Sequence, residues 1–205
     1  MLNQPQNIST QGLAQRTSRN MSRDENFQRT FNEIFHMDIG LGPVFDALLM
    51  STIEVESWDT FSPEKVEVGT YNRRKGKGLF QYTGNTRDRF EEYLADAGLQ
   101  DDHYGNIIYI VDMLRKGTKP YEDNGGTHGK RMLNLLNGIA QEGKHKYTGE
   151  KYIYQPTVEG INEYFLHHFM RPENDKSLDR RIDATKKYME LFKQKTEEHN
   201  LHGLY

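Results

Sequence analysis

The chain has 205 residues, of which 35% are hydrophobic, 28% charged and 11% aromatic, a size that suits one compact core with tails and is too short for two large domains. Its formal net charge of -3 argues against a general nucleic-acid binder, which needs a cationic excess to displace condensed counterions. Cysteine is absent, which excludes disulfides and thiolate zinc sites and fits synthesis in a reducing cytoplasm.

Residues 1–22 are rich in Gln, Asn, Ser and Thr without a sustained period, and read as a flexible or partner-ordered arm. They lack the basic start and apolar run of a secretory signal, and no run of about 18 apolar residues announces a membrane span. The main domain is expected over 23–196, with 197–205 as a C-terminal tail. Phe27, Phe31, Ile34 and Phe35 mark a first amphipathic helix that ends before Gly40-Leu41-Gly42-Pro43. Pro43 suits the first turn of a second helix, which runs to about Ser57.

Two short strands, Lys65 to Tyr71 and Gly78 to Thr83, are expected to form a hairpin around the turn 72–76. A helix then starts near Asn85 and stops at Gly98. Further helices are expected over 102–116, 127–141 and 157–170, and a last one begins near Leu178 and frays near Asn200. The expected fold class is mainly α (α+β), with one small β-hairpin.

On a wheel of about 100° per residue, Phe45, Leu48, Leu49, Thr52 and Ile53 cluster within roughly 80°, and Glu56 falls inside that stripe at about 20°. Glu54 falls on the opposite side and is expected to face outward. An acid at the end of an apolar stripe is partly desolvated, which disfavours the anion and suits a group that must hold a proton near neutral pH. The alternative is a glutamate that emerges at the helix end and is solvated or paired with an arginine.

Leu48 to Ser57, then Phe61-Ser62-Pro63, then Gly78-Leu79-Phe80-Gln81-Tyr82-Thr83-Gly84 and the Arg-bearing segment to Phe90, together resemble the phage tail lysozyme family. Phe169-Met170-Arg171-Pro172, and Arg180 or Arg181 with Ala184, are similar to its closing helices. The resemblance extends over roughly residues 40–192, with its sharp motifs in 48–90. Tyr82 departs from the family's usual Trp, and Trp58 stands where a small residue is frequent.

The resemblance implies a lysozyme-like fold whose hairpin flanks the active-site cleft. It implies a virion-associated enzyme that cleaves peptidoglycan glycan strands, with Glu56 as general acid. Gln81 and Tyr82 would line the saccharide cleft, and Thr83 would add a hydrogen bond or start the next helix. Inverting cleavage needs a second carboxylate. Glu67 on the first expected strand is the candidate, although Glu64 is near and alternation does not choose between them. Without a second acid, a lytic transglycosylase is the implied chemistry. The implied partners are peptidoglycan and other tail proteins. The implied location is the virion, made in the host cytoplasm and acting in the periplasm or wall. A virion assembly protein that keeps the fold with little activity is the competing reading.

Other signals are set aside. Arg73, Arg74, Lys75 and Lys77 read as a solvated turn. Residues 124–129 lack the Gly-Lys-Ser/Thr ending of a phosphate-binding loop. His167 and His168 are adjacent and diverge on a helix, and no His-Glu-x-x-His spacing occurs, so neither a metal nor a cofactor is expected.

Overall fold

A computed structural model describes residues 21–37, 39–66, 76–116, 125–170 and 175–202. Among them are seven α-helices, one π-helical turn and one two-stranded antiparallel sheet, in line with the mainly helical α+β class. Residues 1–20 of the expected arm and residues 67–75, with Glu67, lie outside the described residues. No helix among the described residues is long and apolar enough to cross a membrane.

Helix α1 (Arg23–His36) starts at a capping box, in which the Ser22 hydroxyl accepts from Glu25 N–H while the Glu25 carboxylate accepts from Ser22 N–H. These reciprocal bonds satisfy donors that the first turn leaves unpaired. Its Phe31 ring stacks on Phe192 of α7 (Leu178–His202) at 4.4 Å between centroids. Helix α2 (Pro43–Glu56) is buried continuously from Ala47 to Ile53, and α7 packs along it. Where the two meet, the Ser51 hydroxyl donates to Leu48 O and accepts from Thr185. That pairing removes the cost of two buried hydroxyls.

Helices α3 (Gly84–Ala97), α4 (His103–Lys116) and α5 (Gly125–Leu136) follow. The core continues through Phe90, Ile107, Tyr109, Ile110, Val111, Leu114, Met132 and Leu135. Of the expected hairpin over 65–83, the described residues show two bridges, Val66 to Lys77 across the undescribed residues and Lys77 to Tyr82 after them. The two-stranded sheet instead pairs β1 (Gln141–Lys144) with β2 (Lys151–Tyr154), from Gln141 opposite Tyr154 to Lys144 opposite Lys151. Two local features explain the difference. Gly138, at φ +82°, ends α5 early, and the polar Gln-Glu-Gly-Lys of β1 offers no apolar alternation. Helix α6 (Val158–Phe165) widens into the π-turn Leu166–Met170. The last helix continues through the first residues of the expected tail.

Candidate active site

Glu56 is the last residue of α2. The buried Ser57 closes the helix, its hydroxyl accepting from Phe61 N–H at 2.9 Å and its carbonyl from the Thr60 hydroxyl at 2.7 Å. Between these bonds the chain turns sharply. Trp58, Asp59 and Phe61 all hold positive φ, at 56°, 61° and 51°. Non-glycine residues in that region cost of order 1–3 kcal/mol each, so the surroundings must enforce the turn. Arg23 grips Asp59 through two bonds of 3.1 and 2.8 Å, and Phe61 is fully buried. Held this way, Trp58 stands 71% exposed two residues beyond Glu56.

The Glu56 side chain is 23% exposed, and its Oε1 accepts from Nη2 of Arg181, whose side chain is only 3% exposed. Burial disfavours the Arg181 cation and holds it below the ordinary arginine range, while the Glu56 carboxylate opposes that effect. Arg181 also donates from Nε to Ser177 at 3.1 Å. Its Nη1 is buried with no hydrogen-bond partner among the described residues. Positive charge here also complements the C-terminal end of α2, where unpaired carbonyls gather negative potential.

Glu54 does not face outward as the wheel suggests. Its side chain is 14% exposed, with Lys187 donating at 2.6 Å and the Tyr188 hydroxyl also donating to it. Burial, with the Glu54 carboxylate adding to it, pushes the Tyr188 phenol well above its ordinary range. The wheel describes one helix alone, whereas α7 covers the side that it assigns to solvent.

Gln81, Tyr82 and Thr83 lie in the turn before α3, with Gln81 and Tyr82 turned inward. Gln81, at φ +49°, donates its amide to Gly78 O at 2.7 Å and to Lys65 O at 3.1 Å. Its Oε1 is buried. Tyr82 is 6% exposed, its ring 5.0 Å from Phe90 and 5.4 Å from Tyr109. Thr83 is the exposed N-cap residue of α3. The same turn is anchored from below. Asn106 accepts from Leu79 N–H, and Asp101 receives Lys77, Arg87 and Asn106. Within the Gln-Tyr-Thr-Gly motif, the Gln81 amide N–H groups and the Tyr82 ring thus pack inside the turn.

An open groove of about 540 Å³ lies beside the loop after Glu56, lined by Arg23, Asn26, Thr60, Ser62, Glu64 and Lys65. Glu56 is not part of its lining. In the sequence, Arg181 stands out only through the family resemblance. A stronger signal was present, since Arg181 shares its helix face with Thr185, Tyr188 and Phe192, all buried, at spacings of 4, 7 and 11 residues. A charge on an apolar stripe calls for a buried partner.

No curated protein and no solved structure matches the chain. The family model described as phage tail lysozyme matches residues 25–192, from the first turn of α1 into α7.

Proposed function

The chain belongs to the phage tail lysozyme family, and we propose that it cleaves the glycan strands of bacterial peptidoglycan from a virion tail, with Glu56 as the proton donor. The observation that carries this reading is the position of Glu56. It is a carboxylate at the end of the buried helix α2, about a quarter exposed and in contact with a buried guanidinium. In the reaction, the protonated Glu56 carboxyl gives its hydrogen to the glycosidic oxygen as the bond from that oxygen to the sugar C1 breaks. Positive charge developing at C1 is relieved either by water or by the sugar's own 6-hydroxyl. In the second case the Glu56 carboxylate takes the proton back.

Arg181 gives this site a particular constraint. The buried Arg181 cation has Glu56 as its counter-charge. Substrate engagement must separate the pair or supply a replacement acceptor for Arg181. Trp58 is the aromatic placed to stack on a sugar ring, since it is exposed and close in sequence to the acid. Water activation falls to the acidic segment that follows, where Glu64 borders the groove and Glu67 comes three residues later.

A second reading rests on the same ion pair. A carboxylate held by Arg181 also serves as a structural link between α2 and α7, as in an assembly protein that retains the fold with little turnover. Clearing of purified peptidoglycan separates the two. The enzyme reading expects clearing by the native protein and its loss in a folded Glu56→Gln variant, and it fails if the native protein leaves the substrate intact.

A further inference from the structure

The β1–β2 hairpin and the π-turn bring together residues far apart in the chain. His145 follows β1, Glu163 lies on α6 and His167 sits in the π-turn. One ligand atom from each lies within 4.8 Å of the others, and His145 Nε2 is 3.7 Å from Glu163 Oε1. Nitrogen and oxygen ligands at about 2.0–2.1 Å around a tetrahedral ion sit roughly 3.3 Å apart, so closure needs movements of at most about 1.5 Å. Asp175 stands beside His167, its Oδ1 2.8 Å from Nε2, but is not one of the three residues whose ligand atoms share the 4.8 Å span, so it joins as a fourth ligand only by moving inward.

The hydrogen-bond directions are informative. The Tyr154 hydroxyl lies 3.3 Å from Lys144 O and 3.2 Å from His167 Nδ1, and its one proton goes to one of them. When it goes to Lys144 O, His167 carries its proton on Nδ1, and a neutral ring turns its Nε2 lone pair toward a carboxylate oxygen. Two acceptors at that distance need positive charge between them, either a ring proton or a metal ion. Glu163 and Asp175 also have outer partners. The Tyr152 hydroxyl donates to Glu163 Oε2 at 2.8 Å, leaving Oε1 toward His145. Tyr147 hydrogen-bonds Asp175, and burial together with that carboxylate pushes its phenol up. The His167 side chain is fully buried, and those of His145 and Glu163 are 18% and 15% exposed. One contact must yield, the long 3.4 Å approach of Thr148 N–H to His145 Nδ1.

We propose that His145, Glu163 and His167, with Asp175 as fourth ligand, bind one divalent transition-metal ion of the zinc class that clamps the β1–β2 hairpin onto the α6–π-turn segment. Two neutral imidazoles and two carboxylates sum to a charge of -2, which such an ion neutralises. Imidazole donors favour zinc or cobalt over magnesium or calcium. The π-turn fits this role, because such helix distortions recur at functional sites. Glu163 and His167 are four residues apart on one helix, but the ligand that completes the set comes from the hairpin. Spacing within the helix therefore does not reveal it.

The test uses the full chain, stripped by chelator and dialysed, and titrated with Zn2+ alone by calorimetry and thermal unfolding. The expected result is one ion per chain, a melting temperature raised by Zn2+ and restored by chelator, and a visible tetrahedral spectrum with Co2+. His145→Ala lies in a hairpin loop and should stay folded by circular dichroism while losing the thermal response. Tyr152→Phe should weaken binding by roughly tenfold. The proposal is overturned if Zn2+ shows no saturable uptake, or if uptake is unchanged in His145→Ala. It is equally overturned if nitrogen NMR shows a doubly protonated His167 ring that Zn2+ leaves unaltered.

Discussion

Glu56→Gln should destabilise the protein, although removal of a strained catalytic acid commonly stabilises one. The cause is Arg181, whose side chain is 3% exposed and which keeps its charge when Glu56 loses its own. Breaking a buried ion pair by neutralising one partner costs about 3–5 kcal/mol. Here the pair is less than fully buried on the glutamate side, at 23% exposed, and a glutamine oxygen can still accept from Arg181. Together these bring the expected cost to about 2 kcal/mol, a fall in melting temperature of roughly 4–8 °C for a domain of this size. Arg181→Met should cost less, because Glu56 can turn to water, and the double variant should recover part of the loss in Glu56→Gln. Urea unfolding of the four proteins gives the coupling directly. A Glu56→Gln variant as stable as the parent, with a coupling below about 0.5 kcal/mol, would refute the buried-cation argument.

His103 gives a pH dependence. It is fully buried, donating from Nε2 to Phe61 O at 3.1 Å, and burial, with Arg29 adding to it, drives its pKa down to about 4. The unfolded chain takes up the proton first, so this contribution is complete above about 6.5 and is lost as pH falls toward 4, by about 3 kcal/mol in all. Urea midpoints across that window should slope in the native protein and flatten in His103→Gln; an unchanged slope contradicts this assignment. Gly78→Ala should cost at least about 1–2 kcal/mol in denaturant unfolding, because Gly78 has φ +88° and its added Cβ would lie 2.7 Å from Asn106 Oδ1. Trp58→Ala should leave the melting temperature unchanged and raise KM for glycan up to roughly tenfold. Trp58 is the sole tryptophan, so its fluorescence should also respond to glycan fragments, and a silent titration argues against stacking.

The helices were readable because their apolar spacing is strong, as in Phe27, Phe31, Ile34 and Phe35 or Ile107, Ile110, Val111 and Leu114. The β1–β2 hairpin escaped notice because β1 has one buried residue in four, too little for a period to register. At the site, the wheel set Glu56 inside the apolar stripe of α2, and its side chain is 23% exposed against the buried Arg181. The wheel could not see α7, whose Arg181, Lys187 and Tyr188 claim Glu56 and Glu54. Gln81 and Tyr82 stood out as residues suited to binding sugars. Their types suit loop closure and aromatic packing equally well, and only three-dimensional neighbours distinguish these uses.

The most direct measurement is mass spectrometry of the soluble products after digestion of purified peptidoglycan. Glycan fragments ending in reducing sugars or in anhydro sugars are expected from the native chain, and none from Glu56→Gln kept below its own melting temperature. Equal product from both proteins, or none from the native one, would contradict the role given to Glu56.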